Sequence, residues 1–266
     1  MPTGIDHIVI AVDDLDTATR DFTAAGFTVT PGGEHKGGAS ANVLVTFQDG
    51  AYFELIAFRV AQGGYDAWRT LLQKAGEGFV DFALRTNDLD AELASLRSHG
   101  LDAQDPQSGG RFRPDGQRLD WRTLRFGPGD SAALPFYCVD ETDRALRVPG
   151  GEAAVHANGV TGVSTVRIVV ADLSTAGTQY AALTGADGMP FNAGDDAVAG
   201  AIRFPIGTAG AVVELLEPAP GENPLRAQLA ARGEKPYEVV LTGTGRTDGL
   251  LPLDETHGAR LIVATR

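Results

Sequence analysis

Three stretches of this chain follow one plan. Gly4 to Asp16, Gly78 to Asp90 and Gly162 to Leu173 each open on a glycine, run through β-branched or apolar residues, pass an acidic segment and reach a leucine where a helical pattern begins. A chain built from copies is held to a fold in which one unit recurs. The place of His7 in the first copy is taken by Asp81 in the second and Thr165 in the third, each eight residues before Leu15, Leu89 or Leu173. Only the first copy carries an imidazole there.

Within the first copy, the Ile- and Val-rich run from Ile5 to Val12 predicts a buried strand, and Asp14 is placed to cap a following helix. Leu15, Ala18, Phe22 and Ala25 recur at helical spacing, and Gly26 stands where a left-handed terminating glycine belongs. A strand at Thr28 to Thr30, a glycine-rich loop from Pro31 to Gly38, and strands at Ala41 to Phe47 and Tyr52 to Phe58 complete a β-α-β-β-β unit. Modules are expected at 4–58, 78–140 and 162–217, with a truncated, helix-less fourth at 236–266. The alanine-rich Arg147 to Asn158, with its Pro-Gly-Gly, predicts a linker dividing domains 1–148 and 149–266.

Composition closes off several functions. The formal charge of −13 repels phosphate backbones and excludes nucleic acid as a partner. The single cysteine, Cys138, forbids an intramolecular disulfide and a thiolate metal cluster, and suits a reducing cytoplasm. No stretch has the ~18 apolar residues of a membrane span, and the run from Ile8 to Val12 stops at Asp13 and Asp14, short of a signal-peptide core. The expectation is a soluble cytoplasmic protein, monomer or homodimer.

The chemistry centres on two residues. If the four strands of a module curl, His7 on the first meets Glu54 on the last. An imidazole and a carboxylate on neighbouring strands make half of a divalent metal site, or a buried hydrogen bond or ion pair. His35 in the glycine-rich loop and Asn42 at the next strand are polar candidates for a pocket wall. Arg122 fits an anionic group or an Arg–Asp pair across a sheet. His156 and His257 have no partner in the sequence and are expected at the surface.

The opening Asp6-His-Ile-Val-Ile-Ala-Val-Asp-Asp-Leu-Asp, the segment Gly32-Gly-Glu-His-Lys-Gly-Gly-Ala-Ser-Ala-Asn42, Tyr52-Phe-Glu-Leu-Ile, Arg113-Pro-Asp-Gly, Leu119-Asp-Trp-Arg and Leu134-Pro-Phe resemble the glyoxalase-like branch of the vicinal oxygen chelate superfamily. The resemblance runs over nearly the whole chain and implies an α+β fold of βαβββ modules paired into half-open curved sheets. It also implies ligands from the first and last strands of both modules of a pair: His7 and Glu54, with Asp81 and a residue near Tyr137. The implied activity is a metal-assisted lyase or isomerase acting on a small molecule with vicinal oxygens through an enediolate. In it His7, Glu54 and Asp81 hold Zn, Ni, Mn, Fe or Co, Glu54 moves the proton, and His35, Asn42, Trp121, Arg122 and Tyr137 contact substrate. The same superfamily holds metal-free binders that sequester natural products or antibiotics, which is the alternative.

Overall fold

The computed structural model describes residues 1–60, 65–128, 132–244 and 248–265. The first module comprises β1 (Gly4–Ala11), α1 (Leu15–Ala24), β2 (Thr30–His35), β3 (Ser40–Thr46) and β4 (Tyr52–Phe58). After α2 (Asp66–Ala75), the second repeats the order with β5 (Gly78–Arg85), α3 (Leu89–Ser98), β6 (Gln107–Phe112), β7 (Arg118–Leu124) and β8 (Phe136–Asp140). The short α4 (Arg144–Arg147) and a 3₁₀ turn at Gly151–Ala154 precede β9 (Val160–Val169), α5 (Leu173–Thr184), β10 (Met189–Pro190), β11 (Val198–Ile206) and β12 (Ala211–Pro218). Helix α6 (Pro224–Arg232) leads to β13 (Pro236–Gly243), β14 (Gly249–Leu250) and β15 (Leu261–Thr265), a fourth module without a helix among the described residues.

The class is α+β, as expected. The first two modules curl far enough to close an eight-stranded barrel in the order β1-β4-β3-β2-β6-β7-β8-β5, while the later strands form a seven-stranded sheet, β10-β11-β12-β9-β13-β15-β14. The closing seam is short. Strands β2 and β6 pair only at Glu34 with Phe112 and His35 with Arg111.

The stretch expected as a loop from Pro31 to Gly38 is strand as far as His35, and β6 runs through what reads as a polar loop. Their glycines explain both. A Cβ on Gly33, whose φ is +136°, would lie 1.9 Å from the Phe112 carbonyl oxygen, and one on Gly109 would lie 2.4 Å from Trp121 Nε1. These glycines let neighbouring backbone and a ring approach closely; they do not break the strands.

Strand β1 is buried along its whole length. Ile8 and Ile10 join an apolar cluster outside the barrel, whereas Val9 and Ala11 join a second cluster with Ile56, Trp121 and Phe136. A strand covered on both faces needs no polar alternation, which is why its sequence reads as a continuous apolar run. The outer cluster is continuous with the second sheet through Val166, Ile168, Val213 and Val239. Tyr137 Oη donates to the Leu183 carbonyl at 3.0 Å and Tyr180 Oη to that of Ala133 at 2.8 Å, so polar bonds also cross between the halves.

The helix ends follow the sequence. Asp14 and Asp88 accept from the backbone N–H of Thr17 and Ala91, capping α1 and α3. The two histidines expected at the surface are instead buried. His156 lies between the Thr28 N–H and the Thr46 carbonyl, each 3.0 Å away. His257 sits against Phe22 with Glu77 2.8 Å from its Nδ1. Both fill contacts between segments far apart in sequence, which no local pattern announces.

Candidate functional site

The barrel encloses a cavity of about 210 Å³ whose walls include His7, His35, Asn42, Tyr52, Glu54, Trp121, Phe136 and the guanidinium groups of Arg111, Arg125 and Arg147. Strand alternation accounts for the set. His7 pairs with Tyr52 and Val9 with Glu54 in the parallel β1–β4 ladder, so His7, Tyr52 and Glu54 face inward together.

Glu54 sits at the centre of the polar groups. Its Oε2 is 3.6 Å from His7 Nε2 and its Oε1 is 3.3 Å from His35 Nε2, while Asn42 Nδ2 donates to Oε1 at 2.7 Å. Burial by itself would raise the Glu54 pKa. The hydrogen bond and charge of His35, the charge of His7 and the Asn42 amide overcome that and hold it at about 2. Glu54 is a carboxylate at neutral pH.

Behind His7 stands a second carboxylate. Neighbouring residues of a regular strand face opposite ways, but β1 slips register against β5 between Ile5 and His7, and Asp6 Oδ1 reaches His7 Nδ1 at 2.7 Å. Asp6 is fully buried and accepts from Arg147 at 2.9 Å and Arg144 at 2.5 Å. Burial opposes its ionisation, yet Arg147, then His7 and Arg144, hold it well below the usual carboxylate range. The His7 ring is further fixed by stacking on Tyr52, with centroids 4.8 Å apart, and by the edge of Phe136 at 5.3 Å.

Of the residues singled out in the sequence, His7, Glu54, His35, Asn42 and Trp121 meet at this cavity. Three others lie elsewhere. Asp81 Oδ2 accepts from Trp68 Nε1 at 3.0 Å and from Arg125 at 3.2 Å, beside a separate surface hollow. Arg122 pairs at 3.1 Å with Asp90, because its neighbour Trp121 takes the inward face of β7. Tyr137 turns outward to Leu183. By register, Val9 faces Glu54 and the matching Ala83 faces Phe136, so Phe136 occupies the place that the sequence gives to Tyr137.

Asp6, Arg111 and Arg147 were not singled out. Asp6 adjoins His7 in the opening motif and carried a signal. Arg147 looked like linker, and the position of Arg111 depends on the barrel seam. Cys138 also lines the cavity, but burial pushes its thiol up to about 12, which keeps it unreactive.

A divalent metal does not fit this donor set. The second module brings Phe136 and the Arg125 guanidinium, 4.0 Å from the Phe136 ring centroid, in place of a second pair of ligands. Among the described residues no group of three or more His, Cys, Asp or Glu side chains is arranged to hold a metal ion. In the third module Glu214, at the place of Glu54, is paired with Arg167 at 2.8 Å and with Arg203 at 2.5 Å.

Residues 5–184 match the model of a family described as a glyoxalase-like domain. The chain belongs to that family, within the vicinal oxygen chelate superfamily. No curated protein matches it. A hypothetical protein from Staphylococcus aureus is similar in structure at 18% identity, over 98% of this chain and 99% of that one, with a TM-score of 0.73. A mutant of 4-hydroxymandelate synthase from Streptomyces coelicolor is similar at 15% identity, over 93% and 72%, with a TM-score of 0.57. At these identities the likeness is one of fold.

Proposed function

We propose that the barrel cavity is the active site of a small-molecule lyase or isomerase that moves a proton on a compact compound carrying neighbouring oxygens. The observation that carries this reading is His7, held from behind by the buried carboxylate of Asp6 at 2.7 Å and presenting Nε2 beside Glu54. A carboxylate on Nδ1 assigns the ring proton to that nitrogen and leaves Nε2 as the acceptor. His7 is therefore the better base. Glu54 is the weaker base, because its Oε1 already accepts from the Asn42 amide and lies against His35.

In the proposed step the C–H bond next to a carbonyl breaks, its electron pair enters the carbon–carbon bond of an enediolate or enolate, and the proton moves to His7 Nε2. The imidazolium so formed lies between Asp6 and Glu54, whose charges stabilise it. Returning the proton to the neighbouring atom gives isomerisation, and expelling a leaving group gives a lyase.

The sequestering alternative is less well supported. Drug-sized ligands occupy pockets of roughly 300–1,000 Å³, and about 210 Å³ is too small for a natural product of that size. Proton NMR in D2O with hydroxyacetone and pyruvate is the test. The expected result is carbon-bound hydrogen exchange above the buffer rate, unchanged by EDTA, lost in His7→Ala and reduced in Glu54→Gln. Binding without exchange of either compound would leave only the sequestering role.

A further inference from the structure

Arg111 is a buried cation with no acid among the described residues within ion-pair distance; the charge of Glu54 acts on it only from farther off and does not offset its burial. Arg111 lines the cavity, is 4% exposed, and donates to the carbonyl oxygens of Gly32 and, at 3.2 Å, of Arg147. The other two arginines of the wall are already paired, Arg147 with Asp6 and Asp140 and Arg125 with Asp81. Burial pulls the Arg111 pKa below the ordinary arginine value. Protein interiors rarely leave a charge in this state, because desolvation costs several kcal/mol unless an opposite charge offsets it.

The seam places this cation. His35 and Arg111 are cross-strand partners in the short β2–β6 ladder, so their side chains share a face of the sheet. His35 in turn lies against Glu54, and Glu54 against His7. One wall of the cavity thus presents an unpaired guanidinium next to the proton-moving cluster.

We propose that Arg111 is the anchor for an oxyanion of the substrate, so that this cavity takes a small carboxylate- or phosphate-bearing molecule. The inference rests on the cavity being the substrate site and adds the chemical class of what enters it. A guanidinium matches two oxygens of such a group with parallel N–H donors. Bound anion would also complete the pairing that the protein itself leaves open. With a water's share of liquid volume about 30 Å³, the space corresponds to roughly seven waters, which limits the ligand to a compact metabolite.

The test is thermal denaturation of the full chain with sodium pyruvate, inorganic phosphate, hydroxyacetone or sodium chloride at matched ionic strength. Pyruvate or phosphate is expected to raise the midpoint saturably, at concentrations roughly tenfold or more below any effect of hydroxyacetone; which anion acts distinguishes the two sources. Arg111→Gln is expected to weaken anion binding about tenfold or more, read as the shift from its own unliganded midpoint because the change also removes the bonds to the Gly32 and Arg147 carbonyls. Arg111→Lys keeps the charge without the fork and retains part of the effect. Exchange gives an independent reading: Arg111→Gln lowers turnover of pyruvate by a larger factor than that of hydroxyacetone, whereas damage to the fold would lower both equally. His7→Ala binds the anion and fails to exchange, so loss of the catalytic reading leaves this one standing. No saturable shift from either anion, the same shift from sodium chloride, or unchanged anion affinity in Arg111→Gln would overturn the proposal.

Discussion

In the proposed reaction the imidazole of His7 depends on the two arginines that keep Asp6 ionised behind it. Replacing that carboxylate with an amide would leave Arg147 buried without its main partner. Asp6→Asn is accordingly expected to cost about 3–5 kcal/mol in urea denaturation, and to slow exchange beyond any loss explained by unfolded protein. Glu54 makes a different prediction. Its folded pKa of about 2 lies below its ordinary 4.5, so the stability it contributes is present above pH 4.5 and is lost as pH falls towards 2. The Glu54→Gln variant should show a flatter fall in stability between pH 5 and pH 3 than wild type; parallel curves would contradict the assigned pKa. At this scale the sequence was legible where one copy differed from its siblings, as at His7. It failed at Tyr137 and Arg122 because a shift of one residue along a strand reverses the face.

At the scale of elements, the glycines of β2 and β6 decide whether the barrel closes. Gly33 has a backbone that side chains rarely adopt, and any Cβ there meets the Phe112 carbonyl across the seam. Gly33→Ala is expected to destabilise by about 2–4 kcal/mol, with raised fluorescence quenching of Trp121 by iodide as the cavity opens to solvent. An alanine accommodated with no change in either measurement would show that the seam is not tight. Helices were the more legible elements, since capping residues and apolar spacing are local. The two missed strands were hidden by glycines that serve close approach, a tertiary reason that reads locally as a loop.

For the molecule as a whole, the division at residue 149 is a proposal that meets a shared core. The apolar layer outside the barrel continues into the second sheet, and Tyr137 and Tyr180 donate across it in opposite directions. Both tryptophans, Trp68 and Trp121, lie in the barrel half, whereas far-UV circular dichroism reports on both halves. We expect their urea transitions to coincide, as a single cooperative unit requires. Separate midpoints would mean that each half holds itself together. The sequence by itself determined the module, its repetition, most of the helices and the identity of the imidazole and acid at the centre, because periodicity, capping and side-chain type act over a few residues. Only the tertiary structure decided that the barrel closes, that Asp81 is occupied by Trp68 and Arg125, and that Arg111 faces the cavity unpaired. Those facts depend on which segments become neighbours in space, and neither strand pairing nor a helix packed against a strand leaves a mark on one segment alone.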